Sequence, residues 1–96
     1  MFDAKYIKSR TSMTGAEQKI YAILLRGKID HYVVVSAVVT RDTGPETYVF
    51  LCDSEGEVLN WLELDGSFKG ELNHSRALNG YLNCLLDNDY PGIDNL

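Results

Sequence analysis

Cysteine is scarce in this chain and badly placed for chemistry. Cys52 and Cys84 stand far apart with no CxxC spacing, which excludes a disulfide framework and argues against a paired zinc motif. They read as buried thiols of a reducing compartment, with a strand-to-helix contact between them left open. Histidine is equally sparse: neither His31 nor His74 lies at the short spacing of a tetrahedral site, so no metal is expected. No apolar run approaches the roughly 20 residues of a membrane span, and Met1 to Ser9 alternates charge with hydrophobe instead of building a signal-peptide core. A soluble, cytoplasmic protein with no membrane partner is therefore expected. Internal repeats and low-complexity tracts are also lacking.

Basic residues run short beyond position 31. Residues 1–31 carry six basic against three acidic side chains, a net of +3, whereas residues 32–96 carry three against eleven, a net of −8. An acidic surface of this kind repels nucleic acid and anionic lipid and suits a partner with a basic surface. Motifs for catalysis are missing as well. Ser67 sits between Gly66 and Gly70 in the second place of its run, not in the third place of a GxSxG nucleophile elbow. Asp53, Glu55 and Glu57 resemble the start of a calcium loop, but Gly56 falls at the fourth place and not the sixth. They read as a solvated, acid-rich turn. Asn73-His74-Ser75 is formally a glycosylation sequon, without meaning unless the chain is secreted. No catalytic residue, cofactor or metal follows from these residues.

What the chain does have is β-sheet. From His31 to Leu64 it reads as three β-branched and aromatic runs parted by turn signals at Thr43-Gly44-Pro45 and Asp53-Ser54-Glu55-Gly56. In the second turn the acid suits the first position, and the glycine suits the positive φ of a bulged hairpin. Pairing across that turn sets Tyr48 opposite Trp61, Phe50 opposite Leu59 and Cys52 opposite Glu57, which gathers large apolar groups on one face. Thr47, Val49, Leu51, Val58, Asn60 and Leu62 then occupy the other. Neither face is plainly polar, so both need covers: two helices, or one helix and a partner chain.

Thr14-Gly15-Ala16-Glu17 matches a capping box, and Ile20, Ile23 and Leu24 follow at helical spacing, which predicts a helix over about 15–26. Ile20 to Leu25 is also a passable strand that Arg26-Gly27-Lys28 would turn into the meander. Near the C-terminus, Asn73 or Ser75 caps a helix over about 75–87, with Ala77, Leu78, Tyr81, Leu82, Leu85 and Leu86 on one stripe. The expected fold is a single α+β domain. It comprises a three- or four-stranded antiparallel meander (about 32–40, 47–52 and 58–64), the two helices, an arm or short strand within 1–12, and a tail over 88–96.

Tyr48, Phe50 and Trp61 are the least ordinary feature. The plainer reading packs them beneath the C-terminal helix. If that helix covers the opposite face, they form an exposed hot spot rimmed by acids.

The residues Gly44-Pro45-Glu46-Thr47-Tyr48-x-Phe50, then Asp53, Gly56, Val58, Trp61, Glu63-Leu64-Asp65-Gly66-Ser67, Gly70, Leu72, His74, Ala77 and Leu78 resemble a pattern of small accessory proteins from bacterial phages and prophages. The resemblance covers 44 to 78 and leaves the amino-terminal third unmatched. It implies a setting and brings no catalytic residues. Proteins of that kind act by binding and blocking host factors, CRISPR effectors among them. Two classes of function follow. One is a non-enzymatic inhibitor or adaptor that contacts a basic host protein or nucleic-acid-binding complex through Tyr48, Glu55, Glu57, Trp61, Glu63 and Asp65. The other is a small enzyme or ligand-binding domain completed by dimerisation, disfavoured by the lack of a nucleophile, base and orienting group. A homodimer is compatible with either, and a virion structural part is a third reading.

Overall fold

The computed structural model describes residues 2–87, so the expected tail over 88–96 lies outside the described residues. The fold is α+β, an antiparallel sheet curled into a half-barrel with a C-terminal helix on one face. In chain order the strands are β1 (Phe2–Thr11), β2 (Glu17–Leu25), β3 (Lys28–Thr40), β4 (Gly44–Cys52), β5 (Val58–Asn60) and β6 (Phe68–Lys69), followed by α1 (His74–Asp87). Neighbouring strands follow chain order from β1 to β5, and β6 also pairs with β4.

The expected helix over 15–26 is wrong. Glu17–Leu25 is a central strand, paired to β1 on one side and β3 on the other. The capping-box residues instead make a tight turn. Ser12 N–H donates to Ala16 O at 2.9 Å, Gly15 N–H donates to Ser12 O at 3.0 Å, and the Thr14 hydroxyl is held by Ser12 Oγ at 2.9 Å. Gly15 supplies the positive φ of 88° that this reversal needs. A helix would have buried only one stripe of Ile20 to Leu25, whereas a central strand buries Ile20 and Ala22 on one face and Ile23 on the other. Arg26 and Gly27, both at positive φ (54° and 79°), then form the two-residue turn whose twist suits a hairpin. The arm or short strand expected within 1–12 is the ten-residue strand Phe2–Thr11.

The outer side of β4 is closed by the returning chain in three pieces. β5 pairs at Leu51 and Cys52, the Leu64–Ser67 loop serves Val49, and β6 pairs at Glu46 and Thr47. The expected third strand over 58–64 therefore stops at Asn60. Ser67 is structural here: its Oγ accepts from Val49 N–H at 2.9 Å and donates to Leu64 O at 3.0 Å. At the far border β1 pairs only with β2 among the described residues, and its edge carries Lys5, Lys8 and Arg10 and is broken by a register shift between Tyr6 and Lys8. Charge and irregularity of this sort discourage edge pairing.

The main core lies between sheet and helix. Ile23, Val33, Val35 and Val49 meet Ala77, Leu78, Tyr81 and Leu85, with Phe2, Phe68 and Leu82 packed around them. Asn73 caps the helix, its Oδ1 accepting from Arg76 N–H at 3.0 Å. The apolar stripe of α1 is the expected one, except that Leu86 is exposed.

Candidate interaction surface

The face away from the helix is concave, and side-chain alternation fills it in rows. One row is polar: Arg10 Nε–H donates to Gln18 Oε1 at 2.9 Å, and Gln18 Nε2–H donates to Ser36 Oγ at 3.3 Å. The next is apolar, with Ile20 and Val34 buried alongside Cys52, and Tyr32, Phe50 and Val58 packed on them. The β4–β5 hairpin arches over part of this floor. Its turn is as expected, with Asp53 Oδ1 accepting from the N–H groups of Glu55 (2.9 Å) and Glu57 (3.0 Å), and Gly56 at φ 88°. Arg10 latches the arch from the opposite wall, donating to Gly56 O at 2.6 Å and Glu55 O at 3.4 Å. Nothing in the sequence pattern singles out this arginine.

A bulge changes the expected pairing. Leu51 faces Asn60 and Cys52 faces Val58, so Val58 joins the concave floor and Leu59 is pushed outward. The aromatic cluster does not pack beneath the helix. It lies on the concave face, where Tyr48 and Phe50 stack at 5.7 Å with 24° between planes, and Trp61 meets Phe50 edge-on at 5.5 Å and 64°. Trp61 is 72% exposed, and Leu59 (61%) and Leu62 (72%) are exposed beside it in sequence. Glu55, Glu57 and Glu63 are exposed too, Glu55 with its carboxylate 3.9 Å from Lys8 Nζ. Asp65 stands apart from the other expected contacts. It is exposed at the residue before Gly66, which lies against the Gly80–Tyr81 backbone of α1, and burial raises the pKa of the Cys84 thiol on that helix, with the Asp65 and Asp87 carboxylates raising it further.

Cys52 and Cys84 thus lie on opposite faces of the sheet, and the strand-to-helix contact between them is not made. Burial and the charge of Asp53 push the Cys52 thiol up to about 11, with Arg10 acting weakly the other way. That thiol stays protonated near neutral pH and is a poor nucleophile.

A cleft of about 460 Å³ opens where β3 runs past the end of β4, lined by Asp30, His31, Cys52 and Asp53 among others. Its histidine is already engaged. His31 Nδ1 lies 2.8 Å from Asp30 Oδ2 and its Nε2 2.8 Å from the Tyr81 hydroxyl. A neutral imidazole that donates from Nδ1 and accepts from Tyr81 at Nε2 satisfies all three groups. The ring therefore turns its second nitrogen toward α1 and not into the cleft, joining sheet to helix as a structural clasp. Among the described residues no group of three or more potential metal ligands converges.

Burial lowers the pKa of His31, partly opposed by the hydrogen bond and charge of Asp30. The unfolded chain takes up the imidazole proton near the ordinary value of 6.5 and the native chain only at lower pH. Stability present above that value is consequently lost as pH falls through it, and the loss levels off once the native ring is also protonated. The urea midpoint is expected to be lower at about pH 5.5 than at about pH 7.5, with a smaller difference in His31→Gln. An equal difference in both proteins would remove His31 from the account.

No helix among the described residues is long and apolar enough to cross a membrane. No protein-family model matches the chain, and no curated protein or solved structure matches it.

Proposed function

We propose that this chain is a non-enzymatic binding protein that docks on a basic surface of a host protein or nucleoprotein and blocks it, acting in the cytoplasm of a bacterial cell. The observation that carries the reading is Trp61, held edge-on against Phe50 and yet 72% exposed. A large aromatic ring left in water costs hydrophobic free energy, and ordered, exposed Trp and Tyr side chains are the usual anchors of protein interfaces. The exposed carboxylates of Glu55, Glu57 and Glu63 complement a basic partner, and the likeness to phage accessory proteins supplies the setting.

Capture from host lysate with wild-type and Trp61→Ala protein, at low and high salt and with size exclusion in parallel, tests this. One basic partner should be retained by the wild type at low salt and released at high salt. Trp61→Ala should weaken its binding by about 2 kcal/mol or more, roughly 30-fold in Kd. A partner held equally by both proteins would place the interface elsewhere. Assembly of the purified chain into rings would favour a virion part instead.

A further inference from the structure

Resting on the docking reading above, we infer that the concave aromatic face receives an arginine side chain from the partner, stacked on Trp61 and paired with the neighbouring carboxylates. The chain already contains this arrangement once. Arg76 lies over the Phe68 ring, 5.6 Å from guanidinium carbon to centroid, while its Nη1–H donates to both carboxylate oxygens of Glu71 at 3.1 and 3.0 Å. Trp61 offers an exposed ring of the same kind, and Glu57 and Glu63 lie four and two residues from it in sequence. Among the described residues neither Glu57 nor Glu63 has a basic group within salt-bridge distance, and both are exposed. Arg10, on the opposite wall of the half-barrel, is committed to Gln18, Glu55 and Gly56.

Ring geometry selects the kind of cation. Tyr48 stacks on Phe50 with 24° between planes, and Trp61 stands edge-on to Phe50 at 64°, so the exposed indole is braced at a fixed angle to the pair. A planar guanidinium stacks flat on one ring and still directs N–H groups at carboxylates in its own plane. An ammonium is a compact, strongly hydrated point charge that gains less from a flat surface. The surface is therefore fitted to arginine in preference to lysine, on a segment extended enough to enter the concavity.

Trp61 is the sole tryptophan of the chain, so its emission reports this site directly. The probes are three short glycine-spaced peptides bearing arginine, lysine or citrulline, titrated against the whole protein by fluorescence and calorimetry. The arginine peptide should shift Trp61 emission and bind about fivefold or more tighter than the lysine peptide, with citrulline inert. By calorimetry Trp61→Ala should lose about tenfold or more of that affinity, and Glu57→Gln with Glu63→Gln about threefold or more. Both sites are exposed, so the variants should fold. Equal affinity for arginine and lysine peptides, or an unchanged affinity in Trp61→Ala, overturns the inference. Should the arginine peptide fail while a captured partner still depends on Trp61, the arginine assignment falls and the docking surface stands; should neither depend on Trp61, both fall.

Discussion

Replacing Gly66 by alanine is expected to cost about 3–5 kcal/mol, enough to unfold a large share of a marginally stable domain. The effect comes from two sources at one atom. A Cβ built on Gly66 would collide with the Tyr81 backbone nitrogen and lie 2.7 Å from its Cα and 2.9 Å from the Gly80 carbonyl carbon. All three belong to the helix backbone, which has no rotamer to give way. Gly66 also stands at φ 102°, a conformation that L side chains rarely adopt. Loop and helix must therefore separate, and that separation exposes Tyr81 and Phe68. Urea unfolding of Gly66→Ala, with Gly70→Ala as a control whose Cβ meets nothing within 4 Å, checks this. The control shares the positive φ and should lose only the backbone part, about 1–2 kcal/mol. Equal losses at the two positions would show that contact with the helix contributes nothing.

Tyr81 is the second position where a large effect is expected. Its side chain is fully buried among Ile23, Val33, Val35 and Leu85, and its hydroxyl meets His31 Nε2. Tyr81→Ala should cost about 3–5 kcal/mol, because the cavity lies between two rigid layers that cannot readily collapse. Tyr81→Phe keeps the ring and removes only the O–H, leaving a nearly buried imidazole nitrogen without its donor, for about 1–2 kcal/mol. Chemical denaturation of the two variants separates packing from the clasp. A neutral Tyr81→Phe would mean that the Asp30–His31–Tyr81 chain contributes no stability, and a loss as large as that of Tyr81→Ala would mean that packing of the ring does not.

Local chemistry made several elements legible. Val33 to Val39 can hardly be anything but strand, Asp53 and Gly56 mark their own turn, and the Ala77 to Leu85 stripe finds the helix because its burial has a single period. Ile20 to Leu25 defeats the same approach. A strand buried on both faces loses its alternation, and a short apolar run then fits either period; only pairing with β1 and β3, invisible locally, decides it. The bulge at Leu51 and Cys52 is hidden for a similar reason, since one displaced residue leaves composition unchanged while reassigning Val58 to the concave floor. Tyr48 and Trp61 were recognisable as a cluster, but which side the helix would take depends on distant register. Of the acids, Glu55, Glu57 and Glu63 can be expected at the surface from their place beside a hairpin. Asp65 parts from them because the chain turns at Gly66 toward α1.

The returning segment that closes the outer side of β4 also limits how copies of this chain can join. Ribbon-like polymers built by hydrogen bonding need each copy to present two usable borders, so that every addition regenerates an acceptor for the next. Among the described residues one margin is consumed within the molecule except along the short strands β5 and β6, and the other carries lysines that would confront their own symmetry mates. Any edge-on association through β1 would end at a pair, so the exposed aromatic face can stay available without the chain growing into fibres on itself.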